Sequence, residues 1–366
     1  MRVTQDQDER DLAAMCRSLL TAECPTTLAR GSAGERMPAG LWKALAEAGV
    51  LGLVIHEQHG GSGGSLSDLG IFSIEAGRAL CPTVVHSTVH AALAVDWFGG
   101  PEAWAAWLPG LASGATRGTL AVFSARDAGV VTPSLKARHD REGWRLSGVA
   151  DFVADADLAD LIVVTAEADG NALACVVETA SQGISVEPVA MMGRHPAFTV
   201  RFDDVLVDGG VRVSLQELRR LANAVVALHC LDLVGVGEAV IDRTVDYTKM
   251  RHQFGRPIAS FQAAQHLVAN MHIALSAARL AAWAAIHQLG EGHVATRETA
   301  VARMHAAGAA KLVTLDAHQL HGGMGYVVDT DLHLFSERAR VLSTLGGGAD
   351  IAAKWLEDEM NWEGGR

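Results

Sequence analysis

The sequence predicts an α+β protein in which a helical domain is followed by a β-domain and then by a second helical domain. Three observations predict this order: helical periodicity in the first third, short β-branched segments in the middle, and long helical segments afterwards. We place the domains at residues 1–118, 119–212 and 213–366. A helical, β, helical order along one chain is uncommon and restricts the possible folds.

Helical periodicity runs through the first domain from about residue 8 to residue 118. An amphipathic run begins at Leu41 and ends at Gly49, and the glycine-rich segment 60–64 predicts a loop. Helical spacing resumes over residues 69–80. We therefore expect the N-terminal domain to consist of packed helices.

The middle domain contains short apolar segments that are rich in β-branched residues and are separated by Gly, Asp and Asn turns. These segments cover residues 120–123, 144–146, 161–165, 172–177 and 199–202. Their close spacing along the chain is typical of a barrel or a sandwich. We therefore predict a barrel-like central β-domain.

Long stretches with helical spacing fill the rest of the chain and predict a C-terminal four-helix bundle. They cover residues 218–251, 261–289, 297–321 and 349–360. The abundance of alanine and glycine, together with the scarcity of aromatic residues, suits closely packed helices.

The charge balance excludes one large class of partner. The chain has a formal net charge of −12 and no basic cluster, whereas binding to a nucleic-acid backbone needs a patch of lysine and arginine. A small anionic ligand such as a nucleotide is compatible, because a few arginines and backbone amides can hold it.

The cysteines and the apolar stretches indicate a cytoplasmic protein. The five cysteines are scattered without a C-x-x-C pair, which is typical of reduced thiols. Neither they nor the sixteen histidines show metal-ligand spacing, so no metal site is expected. No signal peptide is recognisable, and the apolar stretch 221–241 is interrupted by polar residues. We therefore expect a buried helix there rather than a membrane span.

Two motifs in the last domain carry a family resemblance. The first reads R-H-Q-F-G-R-P-I over residues 251–258 and is followed by Phe261 and Gln262; the second reads Q-L-H-G-G-M-G-Y over residues 319–326. They resemble the R-x-Q-F-G-x-P-I-x-x-F-Q and Q-x-H-G-G-x-G-Y motifs of the acyl-CoA dehydrogenase family. Weaker matches occur in order along the rest of the chain. The resemblance implies the acyl-CoA dehydrogenase fold and FAD as the cofactor.

The resemblance also implies roles for residues of these motifs. The arginine that matches Arg251 binds the FAD pyrophosphate, to which a guanidinium is well suited, and Phe254 resembles the residue that packs on the adenosine side. The other cofactor-binding residues implied by the motifs are Gln253, Gln262, Gln319, His321, Gly322 and Gly323. Taken singly, each feature is better explained by a surface arginine or a helix-capping glycine turn. Their joint order and spacing favour the family.

The catalytic base of the family is absent. In that family a glutamate removes the α-proton of the acyl-CoA, a task that requires a carboxylate with a pKa near the operating pH. Counting from Arg340, the usual glutamate position falls on Gly346; a minority of members carry it on the preceding long helix, at the position of Val225. The resemblance therefore implies no catalytic residue in this chain.

The contacts to the flavin ring are only partly retained. The family segment T-E-x-x-x-G-S corresponds to residues 124–130, and its aromatic-I-T segment corresponds to residues 152–154. Ser124 and Phe152 remain as candidate ring contacts, whereas alanine and valine replace the threonine and serine expected at residues 154 and 130.

The cofactor-binding residues that this chain retains and those that it has lost belong to different sides of the subunit interface in the family. In tetramers of this family one chain supplies the base and the ring contacts to each FAD, and its neighbour supplies the residues for the ADP half. This chain keeps the second set and loses the first. It is thus most similar to the base-less subunit of heterotetrameric acyl-CoA dehydrogenases of steroid side-chain degradation. That similarity implies a homologous glutamate-bearing partner, an acyl-CoA substrate and an electron-transfer flavoprotein.

Two other functions stay open at this point. The chain could be a homo-oligomeric flavoenzyme of this fold with an atypical base or different chemistry, or a non-catalytic protein that binds CoA esters. His229 is one helical turn beyond Val225 and faces the same side as Asp232. A base there would be displaced by about 6 Å along the helix axis. We therefore expect His229 to be a hydrogen-bonded core histidine and His318 to serve in packing.

Overall fold

The computed structural model describes residues 5–31, 36–122 and 131–364. Its N-terminal region consists of helices, namely α1 (Gln7–Glu23), α2 (Thr26–Ala29), α3 (Ala39–Glu47), α4 (Leu66–Ala79), α5 (Thr83–Phe98) and α6 (Pro101–Ser113). Capping boxes begin α1 at Asp6 and α4 at Ser65. Helix α5 is apolar on nearly all sides and is almost entirely buried, as such a helix must be.

The central region is one mixed sheet. Its strands are β1 (Gly118–Ala121), β2 (Leu135–His139), β3 (Trp144–Ala154), β4 (Leu161–Ala168), β5 (Asn171–Glu178), β6 (Ile184–Val189), β7 (Ala197–Val207) and β8 (Val211–Val213). The strand order is β6-β7-β3-β2-β4-β5-β8, with β1 pairing parallel to β4. The sheet has its own apolar core, formed by residues such as Leu146, Val164 and Phe202.

The C-terminal region is a helical bundle. It contains α7 (Leu215–Met250), the short hairpin β9 (His252–Gln253) and β10 (Arg256–Pro257), and then α8 (Gln262–Gly290), α9 (Thr296–His321), α10 (Leu332–Leu342) and α11 (Ala349–Gly364). Helices α7, α8, α9 and α11 form the bundle, and α10 packs against α7 and α9. This arrangement confirms the predicted acyl-CoA dehydrogenase fold.

Helix α7 connects the N-terminal helices with the bundle. A capping box at Ser214 begins it, and glycines let it cross α4 in backbone contact. A Cβ on Gly235 would lie 1.9 Å from the carbonyl oxygen of Ile74, a distance no side chain tolerates. Helices α7 and α8 are both long and apolar enough to cross a membrane by composition, but 89% of the most apolar window of α7 is buried in the fold.

Strands β2, β6 and β8, helix α10 and the short hairpin of β9 and β10 were not predicted from the sequence. Strand β2 reads Leu-Lys-Ala-Arg-His and β6 alternates with polar residues, so neither shows the continuous apolar run of a central strand. Strand β8 has only three residues. These strands form because neighbouring strands supply hydrogen-bond partners, which local sequence does not reveal.

Candidate active site

A cavity of about 300 Å³ lies where α5, β1, β3, α7 and α10 converge. Both positions that the sequence predicts for the family glutamate line it: Val225, which is 2% exposed, and Gly346. The structure thus brings together two positions that are more than a hundred residues apart in the sequence. Neither position carries a carboxylate.

The backbone conformation at Gly346 is unfavourable for any residue larger than glycine. Gly346 has φ of 69° and Gly347 has φ of 107°, both in the left-handed region that favours glycine. A glutamate at residue 346 would have to adopt a conformation that costs about 1 kcal/mol or more. The loop is therefore built for glycine at the position of the missing base.

A buried arginine holds this loop. Arg303 on α9 is 0% exposed, and its guanidinium donates to the carbonyl oxygens of Leu342 at 2.6 Å and Leu345 at 2.8 Å. These carbonyls lie at and just beyond the C-terminus of α10, where the helix dipole favours a cation. Arg303 thus fixes the course of the chain from α10 to Gly346.

Histidines line the cavity beside the missing base. His86 and His90 lie on α5, His229 lies on α7, and His195 precedes β7. The rings of His90 and His229 meet edge to face, with centroids 5.5 Å apart. Within the described ranges, no group of three or more His, Cys, Asp or Glu side chains has an arrangement that could hold a metal ion.

The expectation of a hydrogen-bonded core histidine at residue 229 was wrong in one respect. The ring is partly buried, as expected. However, its Nδ1 is buried without a hydrogen-bond partner in the described part of the chain, and the same holds for Nε2 of His90. Periodicity placed His229 on the face of Val225, but it could not show that α5 brings a second histidine opposite it.

Two charged residues of the cavity wall, Asp232 and Arg338, are paired with each other. The Asp232 carboxylate, which is 1% exposed, accepts from Arg338 at 2.5 Å. The Nη2 atom of Arg338 also lies 3.1 Å from Nε2 of His86, and its Nη1 donates to the Cys81 carbonyl at 3.0 Å. This buried cluster, Asp232–Arg338–His86, connects α7, α10 and α5.

Burial keeps the histidines of the cavity neutral at physiological pH. Burial lowers the pKa of His90 to about 4, and burial together with Arg338 and Arg36 lowers that of His195 to about 4. Burial also lowers the pKa values of His86 and His229 well below the ordinary range, with neighbouring cations and histidines adding to the effect. Each ring therefore offers one donor and one acceptor rather than a positive charge.

A second carboxylate network joins the β-domain to the N-terminal helices. Asp155, which follows β3, accepts hydrogen bonds from Ser87 at 2.8 Å, from Thr83 at 3.0 Å and from Arg36 at 3.0 Å. Burial nevertheless raises the pKa of Asp155 to about 6, because these partners only partly replace water. The network fixes α5, and with it His86 and His90, against the sheet.

Of the two candidate ring contacts, one is at the cavity. Phe152 on β3 lines it, is 47% exposed and has φ of 57°, a conformation that turns the aromatic ring out of the strand pattern. Residue 154, also in the wall, is alanine and offers no hydroxyl. Ser124 lies outside the described residues.

The residues predicted for the ADP half lie together at the other end of α7. Tyr247 stacks on His321 with ring centroids 4.3 Å apart, and its hydroxyl donates to the His321 carbonyl at 3.3 Å. This contact joins the segment that carries Arg251 to the Gly322–Gly323 loop. His321 is itself buried, and its Nδ1 lies 2.8 Å from the Ala317 carbonyl oxygen. His318 is buried as well and stacks on Tyr326.

Most of these residues face solvent. Phe254 is 93% exposed with φ of 53° at the tip of the β9–β10 hairpin, and Arg251, Gln253, Gln262, Gln319, Gly322 and Gly323 are exposed as well. The Arg251 guanidinium makes no ion pair or side-chain hydrogen bond with the described residues. An exposed arginine beside accessible glycine backbone fits the phosphates of a nucleotide.

The predicted base positions in the cavity are far from the residues predicted for the ADP half. Val225 and Arg251 are separated by 26 positions along α7 and its C-cap, which corresponds to about 39 Å at ~1.5 Å per residue. One FAD cannot span that distance. The residues predicted for the ADP half therefore lie outside the reach of a cofactor whose ring occupies the cavity of the same chain.

The bundle exposes apolar side chains on α8, on α9 and in the segment after α9. Ile273 and Leu280 on α8 are 68% and 46% exposed, and Leu315 on α9 is 56% exposed. Tyr326 and Val328 in the segment after α9 are 77% and 61% exposed. Large apolar side chains left exposed on neighbouring elements are typical of a protein–protein interface.

Comparisons with known proteins agree with the fold. Profiles for the N-terminal and the C-terminal domain of acyl-CoA dehydrogenases match residues 6–115 and 217–360. The chain is 31% identical to acyl-CoA dehydrogenase IpdE2 of Mycolicibacterium smegmatis over 87% of this chain and 88% of that protein.

Two solved complexes superpose on nearly the whole chain. The Tcur3481-Tcur3483 steroid ACAD variant has a TM-score of 0.90 at 27% identity, covering 98% of this chain and 99% of the matched chain. The ChsE4-ChsE5 complex from Mycobacterium tuberculosis has a TM-score of 0.90 at 26% identity, covering 99% of both chains.

Fold, cavity and profiles define a flavoprotein dehydrogenase of the helical, β, helical type. The chain belongs to the acyl-CoA dehydrogenase family, whose members are oxidoreductases acting on CH–CH groups. At the two positions that motif spacing predicts for the catalytic carboxylate, the chain carries Gly346 and Val225.

Proposed function

We propose that the chain is the base-less subunit of a heteromeric, FAD-dependent acyl-CoA dehydrogenase in the cytoplasm. The observation that carries this proposal is the separation of about 39 Å along α7 between a cavity with no carboxylate at either predicted base position and the exposed residues predicted to bind the ADP half. The named complexes among the similar structures, ChsE4-ChsE5 and Tcur3481-Tcur3483, support a heteromeric assembly. The Tcur3481-Tcur3483 protein is a steroid ACAD, and this similarity supports a steroid-derived acyl group for the substrate.

In this proposal the residues of the chain bind and orient, and they take no proton from the substrate. Arg251 neutralises and orients the pyrophosphate of an FAD whose ring lies in the partner, while Phe254 packs on the adenosine side. The exposed backbone at Gly322 and Gly323 lets the cofactor approach closely. The chemistry that bound FAD would supply is a hydride acceptor for the β-carbon of the acyl-CoA. The partner contributes the glutamate, and an electron-transfer flavoprotein takes up the electrons.

The stoichiometry of the cofactor tests this function. We expect co-expression with a homologous glutamate-bearing chain to give a complex with one FAD per pair of unlike chains. The purified chain alone should bind FAD poorly and should be nearly inactive with acyl-CoAs, steroid-derived ones included. Flavin absorbance relative to protein mass and a dye-coupled assay measure both. A homotetramer of this chain with full FAD occupancy and turnover would contradict the proposal.

One observation favours a second candidate, a homo-oligomeric enzyme with an atypical base. His229 lines the cavity one helical turn from Val225 and has no hydrogen-bond partner in the described part of the chain. The physical chemistry of the site opposes this candidate, because burial lowers the pKa of His229 and no carboxylate among the described residues is hydrogen-bonded to the ring. Turnover by the isolated chain that disappears in His229→Phe would establish it.

A further inference from the structure

We propose that Cys24 and Cys81 form a peroxide-sensitive dithiol, which hydrogen peroxide converts into a disulfide between the end of α1 and the segment before α5. The two residues are 57 positions apart in the sequence, and only the fold brings them together. Neither lines the cavity that contains Val225 and Gly346, and their chemistry needs neither FAD nor a partner subunit. Failure of this inference would therefore leave the proposed function unaffected.

The two cysteines lie where helices end. Cys24 is the C-cap residue of α1, and Cys81 follows the C-cap residue of α4. The Cys24 thiol donates to the carbonyl oxygen of Ala79 at 3.6 Å and accepts a hydrogen bond from the Cys81 thiol. Both side chains are buried, with exposed fractions of 5% and 0%. Thiols that hydrogen-bond to each other have their sulfur atoms on facing sides, which is the arrangement that a disulfide requires.

The contact makes Cys24 the reactive member of the pair. The hydrogen bond from Cys81, helped by the positive charge of Arg338, lowers the pKa of the Cys24 thiol against the opposing effect of burial. The same hydrogen bond, together with burial, raises the pKa of Cys81 well above its ordinary value. Burial raises the pKa of the other three cysteines, to about 12 for Cys16 and Cys175. Since the thiolate is the nucleophile, Cys24 is the cysteine that attacks an oxidant.

A second cavity beside the pair admits a small oxidant. It has a volume of about 300 Å³, and its wall includes Cys81 as well as Leu28 and Ala29 on α2, the helix that begins shortly after Cys24. Hydrogen peroxide is uncharged and needs roughly 60 Å³, the share of two water molecules in the liquid. The cavity can therefore hold it next to the cysteines.

The oxidation balances with hydrogen peroxide as the two-electron oxidant. The Cys24 thiolate attacks one peroxide oxygen and the O–O bond breaks, so that Cys24 becomes a sulfenic acid. The hydroxide that leaves takes up the former Cys24 proton and becomes water. The Cys81 sulfur then attacks the Cys24 sulfur, and its proton leaves with the displaced hydroxide as a second water. Two thiols and one peroxide thus give one disulfide and two water molecules.

The disulfide would act on the buried cluster Asp232–Arg338–His86. The Cys81 carbonyl oxygen accepts from Nη1 of Arg338 at 3.0 Å, and Cys81 directly precedes the N-cap residue of α5, the helix that carries His86. A covalent bond from the end of α1 to Cys81 therefore restrains the backbone that Arg338 holds. Oxidation would stabilise the junction of α1, α4 and α5.

Peptide mapping of the full-length chain tests the pair. The native protein is treated with hydrogen peroxide, its remaining thiols are blocked with N-ethylmaleimide in urea, and the chain is cleaved with trypsin. We expect the peptides 18–30 and 79–117 to be linked, and the free thiols to fall from five to three. Five remaining thiols, a sulfinic acid at Cys24 without the link, or mixed links among the cysteines would overturn the proposal.

Thermal unfolding measures the restraint. The disulfide closes a loop of 57 residues, so the midpoint of unfolding should rise by roughly 3–5 °C on oxidation. Dithiothreitol should restore both the five thiols and the original midpoint. A link that forms without any rise in the midpoint would contradict the restraint on the helix junction.

Serine variants assign the two roles. Cys24→Ser and Cys81→Ser should each keep all four remaining thiols after the same treatment, because neither has a partner with which to form the disulfide. Cys175→Ser is the matched control, since Cys175 is buried on β5 away from the pair, and it should still form the link. If a serine variant does not fold, Cys24→Ala and Cys81→Ala replace it. Loss of thiols in folded Cys24→Ser, or a missing link in Cys175→Ser, would refute the assignment.

Discussion

At the scale of single residues, Arg251 is the clearest test of a cofactor shared between chains. Its guanidinium is exposed, unpaired within the described residues, and far from the cavity of its own chain. We expect Arg251→Ala to reduce FAD affinity of the heteromer by roughly 2–4 kcal/mol, because the pyrophosphate loses a charge-assisted partner. That corresponds to roughly thirty-fold to several-hundred-fold weaker binding. Flavin retained on gel filtration and flavin titration measure it.

The matched control for this substitution is Arg141→Ala. Arg141 is exposed on the turn between β2 and β3, away from both sets of site residues. It should leave FAD content and turnover unchanged. Equal FAD content in the Arg251→Ala and Arg141→Ala heteromers would show that Arg251 does not bind the cofactor.

His90 makes the stability of the chain sensitive to acid. Burial lowers its pKa from 6.5 to about 4 in the folded state, so the unfolded chain binds a proton more readily. The stabilisation from keeping this ring neutral is present above about pH 6.5 and is lost as the pH falls towards 4. Between about pH 7 and pH 5, the wild-type chain should lose about 2 kcal/mol more of its free energy of unfolding than the His90→Phe variant loses. Urea unfolding at both pH values measures it.

Asp155 acts in the opposite direction over part of the same range. Its folded pKa of about 6 exceeds the ordinary 3.8, so raising the pH through this window favours the unfolded chain. Because four cavity histidines have lowered pKa values and Asp155 alone acts against them, we expect acid to lower the free energy of unfolding overall. A wild-type chain that is as stable at about pH 5 as at pH 7 would contradict the buried, neutral state of these histidines.

At the scale of elements, the loop after α10 depends on a single side chain of α9. Arg303 bonds the carbonyls of Leu342 and Leu345 from a fully buried position. We expect Arg303→Met to leave these carbonyls unpaired and to increase amide hydrogen exchange over residues 342–348, roughly tenfold or more for about 1–3 kcal/mol lost. Exchange mass spectrometry measures it peptide by peptide.

Arg297→Met provides the comparison on the same helix. Arg297 is exposed in the first turn of α9 and should leave exchange in the loop unchanged. If both variants exchange like the wild type over residues 342–348, Arg303 does not hold the loop that carries Gly346.

At the scale of the whole molecule, helix α8 exposes an apolar surface that the rest of the described chain does not cover. Only 22% of its most apolar window of 18 residues is buried within the chain. We expect Ile273→Glu and Leu315→Glu to shift the assembly towards smaller species, because a charge in an apolar interface core loses its hydration without gaining a partner. Light scattering on a size-exclusion column measures the mass. Leu206→Glu on β7, where the side chain is 38% exposed, is the control and should leave the mass unchanged.

Much of the architecture could be predicted from local patterns. The long helices α7, α8 and α9 have enough residues for their periodicity to be unambiguous, and each observed bound lies within three residues of the prediction. Strands β2 and β6 could not be predicted, because their polar positions are tolerated only where the sheet leaves one face in solvent. Helix α10 was missed although it forms part of the cavity wall.

The sequence by itself determined the fold, through two motifs and the helical, β, helical order. It also predicts, from motif spacing, that the catalytic carboxylate is missing at Gly346 and Val225 and that the residues for the ADP half are present. Only the tertiary structure decided that these sets lie at opposite ends of α7, and that His90 from α5 meets His229 from α7 beside the position of the missing base. Residues 139 positions apart in the sequence become neighbours through packing, and no periodicity within one helix encodes what a distant helix places against it.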